Sequence, residues 1–235
     1  MGTEEAGGPV AQEPVTVWAR PERGARGPAA VHSRAELTTV AVQLADESGL
    51  SAVSMRHVAR VLGTGPASLY RYVSGRDDLL DLMADAVTGE IDLDVPLSGD
   101  PVPDLAALAV RTKAVHLRHP WLSDIPPEPL RLGPRGLNYL EYALRAMAGV
   151  PLPGGTKMEI VALMNALVTQ FARAELRGGG ADTGRQAAQA AYLNETVARG
   201  DHPHVAAALA DRTETEPVFD RTMRRVLTGL VPPTQ

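Results

Sequence analysis

From Ser54 to Arg76 the chain writes an apolar stripe, a glycine turn and a second short stripe, and few folds accommodate that order. Met55, Val58, Ala59 and Leu62 recur at i, i+3, i+4 and i+7, the spacing of one buried helix face. Gly63 then stops the helix, because glycine takes positive φ without steric cost. Gly65 and Pro66 read as the cap and first position of the next helix, where proline loses nothing by lacking an N–H. Leu69 and Val73 point inward on a helix from Pro66 to Val73. Ser68, Tyr70, Arg71 and Tyr72 are left outside, a hydroxyl, two phenols and a guanidinium suited to phosphates and base edges.

The charge distribution favours the same reading. Ser48 through Arg76 contains no Asp or Glu, but it contains Arg56, Arg60, Arg71, Arg76 and His57. Between Arg20 and Arg76 eight arginines face four carboxylates, a net +4 that leaves the rest of the chain at −9 within a total of −5. An acidic protein still binds DNA through a local patch, since charges beyond a Debye length of about 8 Å are screened.

At 235 residues and 44% hydrophobic content the chain can bury one sizeable core or two smaller ones. It lacks an apolar run long enough to span a bilayer, has no cysteine, and begins with acids where a secretion signal needs a basic start, so a cytoplasmic protein is expected. Residues 1–32 carry no periodic stripe and are expected to be a disordered arm. Two readings stand for Trp18, Arg20, Arg23 and Arg26: an inert tail, or an arm that tracks phosphates or enters a minor groove.

The remaining pattern is helical throughout, with no alternating run that calls for a strand. Ser33 to Glu36 forms a capping box ahead of a helix burying Leu37, Val40, Ala41, Leu44 and Ala45. A single helix is expected over Ser51–Leu62. Boxes of the same form at Ser74–Asp77 and Thr156–Glu159 predict two further helix starts. The first launches a helix with Leu79, Leu82, Met83, Ala86 and Val87 inside. Beyond Pro96–Pro103 the composition shifts to Ala, Leu and acid, and Leu105, Leu108, Thr112, Val115 and His116 line a helix. Leu137, Leu140, Leu144 and Met147 mark another. Met158–Leu176 is apolar on more than one side, predicting burial on several faces, and Phe219, Met223, Val226, Leu227 and Leu230 stripe the last helix. The reading is all-α: a helix-turn-helix domain at residues 33–80, and a larger helical ligand-binding and dimerisation domain at 81–235.

With these residues in view the chain resembles a tetracycline-repressor (TetR) family regulator, most specifically over Ser33–Ile91, where LYRYV and RDDLLDLM follow the turn without a gap. The resemblance implies a non-enzymatic repressor role on double-stranded DNA as a homodimer, with a small-molecule effector and no cofactor or metal. It implies a base contact from Arg56, a phosphate contact from Ser54, a recognition helix carrying Gly65, Pro66, Ala67, Ser68, Tyr70, Arg71 and Tyr72, and a cation at Arg76. Pro66 and Ala67 offer no side-chain hydrogen bond, so polar readout falls to Arg56, Ser68 and Arg71. Dimerisation would use the long helix from Met158 and the last helix from Pro217. A palindromic operator then follows, with half-sites roughly 34–36 Å or a multiple apart.

The ligand-binding candidates are His116, Trp121, Tyr139, Tyr142 and Asn165, the polar groups on segments expected to surround an apolar cavity. Each has a structural alternative: Asn165 as a satisfied core amide, His116 as a helix-end cap. Two other classes remain open. An architectural DNA binder without ligand control would share the head, and a helical enzyme would need a site. His116–His119 and His202–His204 have metal-like spacings, yet no Cys or carboxylate pair completes a set.

Overall fold

The computed structural model describes residues 16–20, 32–126, 132–178, 183–210 and 216–233. Among these residues every regular element is helical. The arm residues Arg23 and Arg26 and the Gly178–Gly180 loop beyond Gly178 lie outside them. Two compact units divide the chain: a head of Met1–Gly89 with Ile125–Leu137, and a C-terminal unit of Glu90–Asp124 with Asn138–Gln235.

In the head, α1 (Arg34–Ser48) begins with the predicted box: Ser33 Oγ accepts the Glu36 N–H at 3.1 Å and Glu36 Oε2 accepts the Ser33 N–H at 3.0 Å. Its buried face is Leu37, Thr38, Ala41, Leu44 and Ala45, with Val40 only half-buried. The helix expected over Ser51–Leu62 is two pieces. A 3-10 turn spans Leu50–Ala52 and α2 runs Met55–Val61, because Ser54 is extended and caps α2 by accepting the His57 N–H. Gly63 sits at φ +67, the left-handed conformation that the turn demanded.

α3 is Pro66–Leu69, four residues and not eight. After it the Tyr72 N–H bonds back only three residues, to Leu69 O at 2.9 Å, tightening the chain into a turn. α4 (Arg76–Thr88) also departs from expectation. Its cap is Gly75 without a side-chain bond, and no Ser74–Asp77 box forms. Asp78 reaches back instead, accepting from the Ser74 hydroxyl at 2.7 Å and the Ser74 N–H.

Val58, Ala59, Leu69, Val73, Leu79 and Met83 are at most 1% exposed and join Leu37 in one core. Each large aliphatic side chain there is worth about 1.5–3 kcal/mol by removal from water. The boundary expected at residue 80 therefore moves to Gly89, since α4 buries Leu79, Leu82, Met83 and Val87 and packs on α1.

The expected disordered arm also needs correction where it is described. Val17 is fully buried, the Ala19 N–H closes a turn onto Thr16 O at 3.1 Å, and Arg20 pairs with Asp78 at 2.9 Å. Arg34 ties this strap down by donating to Arg20 O and Tyr72 O, each at 3.0 Å. Val15, Val17 and Trp18, close together in a Gly- and Pro-rich tail, were the available signal.

The C-terminal unit is built on α5 (Pro101–Arg118), α7 (Gly154–Gly178) and α10 (Val218–Leu230), which pack on one another. α5 buries Leu105, Leu108, Ala109, Thr112 and Val115, nearly as predicted, and a 3-10 turn follows at Pro120–Asp124. α6 (Pro134–Ala146) presents a different face from the leucine stripe. Tyr139, Tyr142, Ala143 and Ala146 are buried; of the expected stripe Met147 is buried, Leu140 and Leu144 are half-buried and Leu137 is 55% exposed, because the two tyrosines carry more surface to hide.

α7 starts at Gly154 without the Thr156–Glu159 box, the Lys157 N–H bonding to Pro153 O at 3.1 Å. It buries Ile160, Val161, Met164, Val168 and Ala172 on one side only; Leu163 is 51% exposed, against the expectation of burial on several faces. α10 buries Phe219, Met223 and Leu227, and α8 (Thr183–Ala198) and α9 (Pro203–Ala210) pack on each other. No described helix is long and apolar enough to cross a membrane.

Candidate nucleic-acid interface

The turn between α2 and α3 is held by its own hydroxyls. Ser68 Oγ donates to Gly65 O at 2.7 Å and lies 2.7 Å from Thr64 Oγ1. Its hydrogen is thus committed to the turn, and Ser68 braces the loop where the sequence suggested polar readout. Gly65, Pro66 and Ala67 are exposed beside it and present backbone and small side chains only.

Around that turn Arg56, Arg60 and Arg71 are exposed, and Tyr70 is 56% exposed. None of the three arginines has an ion pair or hydrogen bond with a described residue. Arg56 and Arg60 are four apart on α2 and so share a face. Val61, 53% exposed beside them, was missed by the sequence reading; a valine outside the apolar stripe was the signal.

Two predicted contacts turn inward. Tyr72 is 5% exposed, and its hydroxyl accepts the His32 N–H at 3.4 Å, because the tight turn after Leu69 rotates it off the outer surface. Arg76 donates through Nη1 to Val53 O at 2.7 Å and through Nη2 to Leu50 O at 3.2 Å, fastening α4 to the 3-10 turn. Ser54, exposed, is the cap of α2 and keeps its own hydrogen to give.

Arg76→Ala is therefore expected to lower the head's stability by about 1 kcal/mol, read as a fall in thermal midpoint, since two charged hydrogen bonds are lost at a partly exposed position. An unchanged midpoint with a shallower salt dependence of DNA binding would make Arg76 a phosphate contact instead.

In the C-terminal unit the five ligand candidates fall into separate clusters. Tyr139 is buried and donates to Asn165 Oδ1 at 2.6 Å; Thr112 Oγ1 is 3.5 Å from the phenol with its hydrogen on Leu108 O at 2.8 Å. Burial pushes the Tyr139 phenol up to about 12, outweighing its polar contacts with Thr112 and Asn165, so it stays a neutral donor. Tyr142 donates to Val95 O at 2.9 Å and has two guanidinium groups near its ring, Arg111 at 5.6 Å and Arg145 at 5.4 Å from the ring centre.

Trp121 is 1% exposed and meets His119 edge-on at 5.8 Å. His119 Nε2 is 3.1 Å from both oxygens of Glu90, which also accepts from Arg118 Nη2 at 2.7 Å. Burial raises the Glu90 carboxyl, but those hydrogen bonds and charges outweigh it and hold it below the usual range. His116 sits near His119 with Nδ1 buried and unpartnered. Arg111 and His119 were not singled out as ligand candidates; Arg111 is marked as a cation next to the buried position Thr112 in an apolar helix. A groove of about 290 Å³ lies elsewhere, lined by Pro103, Ala106, Ala107, Val110 and Met223 among others, and contains none of the five.

A helix-turn-helix head with an unpaired cationic surface, joined in one chain to a larger helical unit, defines a class of bacterial DNA-binding regulator. The comparisons agree. Residues 37–83 match the model described as bacterial regulatory proteins, tetR family, and residues 97–232 match the tetracyclin repressor-like C-terminal domain. The chain belongs to the TetR family.

It is 34% identical over 240 aligned residues to the HTH-type transcriptional repressor DrrR1 of Streptomyces coeruleorubidus, covering 97% of this chain and 88% of that one. The structure resembles apo ActR of Streptomyces coelicolor, with TM-score 0.71, 27% identity and coverage of 85% and 94%. It also resembles ActR in complex with actinorhodin, with TM-score 0.70, 26% identity and coverage of 86% and 96%.

Proposed function

We propose that this protein is a ligand-responsive transcriptional repressor that binds a palindromic operator as a homodimer and is released by a small, mostly apolar molecule. The observation that carries the DNA reading is the exposed set Arg56, Arg60, Arg71 and Tyr70 around a braced turn, three of its members cations without internal partners. Arg56 and Arg71 read base edges or phosphates, Ser54 donates to a phosphate, and the small residues Gly65–Ala67 allow close approach. Arg56, not Arg76, is the cation on which sequence readout rests.

Dimerisation through α7 and α10 is supported by the uncovered apolar side of α7, where Leu163 and Met158 are 51% and 38% exposed. The ligand reading rests on the buried Tyr139–Asn165 pair, with Tyr142, His116 and Trp121 as further candidates, in a unit otherwise apolar. Repression and ligand release are supported by relatives: one is named a repressor, and ActR was solved with actinorhodin.

Selection of bound duplexes from a random library, followed by a screen of small molecules with actinorhodin as the first probe, tests both parts. The expected result is an inverted repeat that the protein releases on adding a hit. An asymmetric or featureless selected site would defeat the dimeric reading, and a site that no apolar compound releases would leave an architectural binder.

A further inference from the structure

We propose that the effector is an apolar carboxylic acid and that Arg111 binds its carboxylate. The proposal rests on the ligand-responsive reading above and names the chemical class of that ligand. Every residue it uses lies in the C-terminal unit.

Arg111 sits inside the run that α5 hides: Leu108, Ala109, Thr112 and Val115 around it are at most 5% exposed. A guanidinium keeps its charge at any pH at which a protein folds, so a half-buried one calls for a counter-ion or a full set of acceptors. Arg111 has neither. Its Nη2 donates to the Tyr142 hydroxyl at 3.2 Å, and its guanidinium carbon stands 5.6 Å from the centre of that ring. Nε is buried without a hydrogen-bond partner, and no carboxylate of a described residue lies within ion-pair distance. Other arginines of the unit are matched: Arg118 by Glu90, Arg173 by Asp124 and Arg224 by Glu216.

The groups beside Arg111 cannot supply the missing negative charge. Tyr142 gives its hydrogen to Val95 O at 2.9 Å, so it meets the guanidinium with a lone pair only. Tyr139, kept neutral by burial, gives its hydrogen to Asn165 Oδ1 at 2.6 Å. Thr112 commits its own to Leu108 O. Arg145, near the Tyr142 ring at 5.4 Å, adds positive charge and no acceptor.

These side chains make a polar seam shared by α5, α6 and α7, and the buried Leu108, Met164 and Val168 flank it on their own helices. A molecule seated along the seam meets hydroxyls already paired, apolar walls, and one cation whose remaining N–H donors are unanswered by any described residue. A carboxylate fits that cation best, because the planar fork of a guanidinium matches its two oxygens. An uncharged ligand of the same body would leave Arg111 as it is.

The test titrates the full chain, free of DNA, by calorimetry with naphthalene-2-carboxylate and anthracene-2-carboxylate, each beside its methyl ester. Acid and ester share one apolar body and differ in the charge. Wild type is expected to bind an acid about tenfold more tightly than its ester. Arg111→Met should abolish that preference and keep the affinity for the ester. Arg111→Lys should keep part of the preference, since the ammonium retains the charge and loses the fork. The thermal midpoint of Arg111→Met should not fall, because the change removes an unmatched, half-buried charge.

Equal affinity of wild type for acid and ester, binding of none of the four compounds, or an acid preference that survives in Arg111→Met would overturn the assignment. A lowered midpoint with that preference intact would make Arg111 a brace for Tyr142. Should Arg111→Met fail to fold, Arg111→Gln and Arg111→Lys carry the comparison. The wider reading fails differently. Release of the selected operator by neutral compounds alone would leave ligand control standing and defeat the acid. Release by no compound would defeat ligand control, and the acid and ester titrations of the free protein would still decide what Arg111 binds.

Discussion

Between pH 6.5 and about 4 the C-terminal unit is expected to lose about 3 kcal/mol of stability through His116 alone. Burial is the main cause: it disfavours the imidazolium and lowers the group from 6.5 to about 4, and the neighbouring His119 charge adds to it. Nδ1 is buried without a hydrogen-bond partner, so a protonated ring gains no acceptor there. In that window the unfolded chain takes up a proton that the folded chain refuses, and falling pH drives unfolding. Above 6.5 both states are neutral, and below about 4 both are charged, so the dependence flattens at each end.

Glu90 acts in the same direction. Its carboxyl is held low by Arg118 and His119, and that contribution vanishes as acid protonates it. Urea midpoints at pH 7, 5.5 and 4.5 check the claim. His116→Gln should remove most of the slope across all three values, the Glu90 part remaining only towards and below pH 4.5. Parallel curves for wild type and His116→Gln would mean that the imidazole is not titrating under burial.

Arg56→Ala is expected to weaken binding to the selected operator by about 1–3 kcal/mol, roughly 5- to 150-fold, and to relax preference at one base pair. Arg56 is exposed, sits in the first turn of α2 and has no internal partner, so the substitution leaves the fold alone and removes only an outward contact. Binding to random duplex should change far less. Were Arg56 a phosphate contact, cognate and random duplexes would weaken alike, and the slope of log K against log salt would fall by about 0.9. Titrations at several salt concentrations, on both duplexes, separate the two results.

Wherever local pattern alone decides the outcome, the sequence was a sufficient guide. The Ser33–Glu36 box, the positive φ at Gly63, the stripe of α5 and the inner face of α10 are matters of nearest neighbours and period. So was the acid-free stretch that leaves Arg56, Arg60 and Arg71 unpaired. Where several placements satisfied the same pattern, tertiary packing chose. The leucine stripe of α6 lost to two tyrosines with more surface to bury and with partners at Asn165 and Val95. The Ser74 and Thr156 boxes lost to Asp78 reaching back and to a helix starting three residues early.

Tyr72 and Arg76 look outward in any regular helix from Pro66. Only the tightened turn after Leu69, and carbonyls more than twenty residues away, turn them inward. The same holds for the strap at Thr16–Arg20 and for Asp85, whose partners, Asp78 for the one and the Arg135 N–H for the other, lie fifty or more residues further along the chain. Composition and period specify which residues want burial and where a helix begins to be possible. Which distant carboxylate meets an orphaned amide is decided only when the elements pack, because a hydrogen bond between them has no footprint in the spacing of either segment.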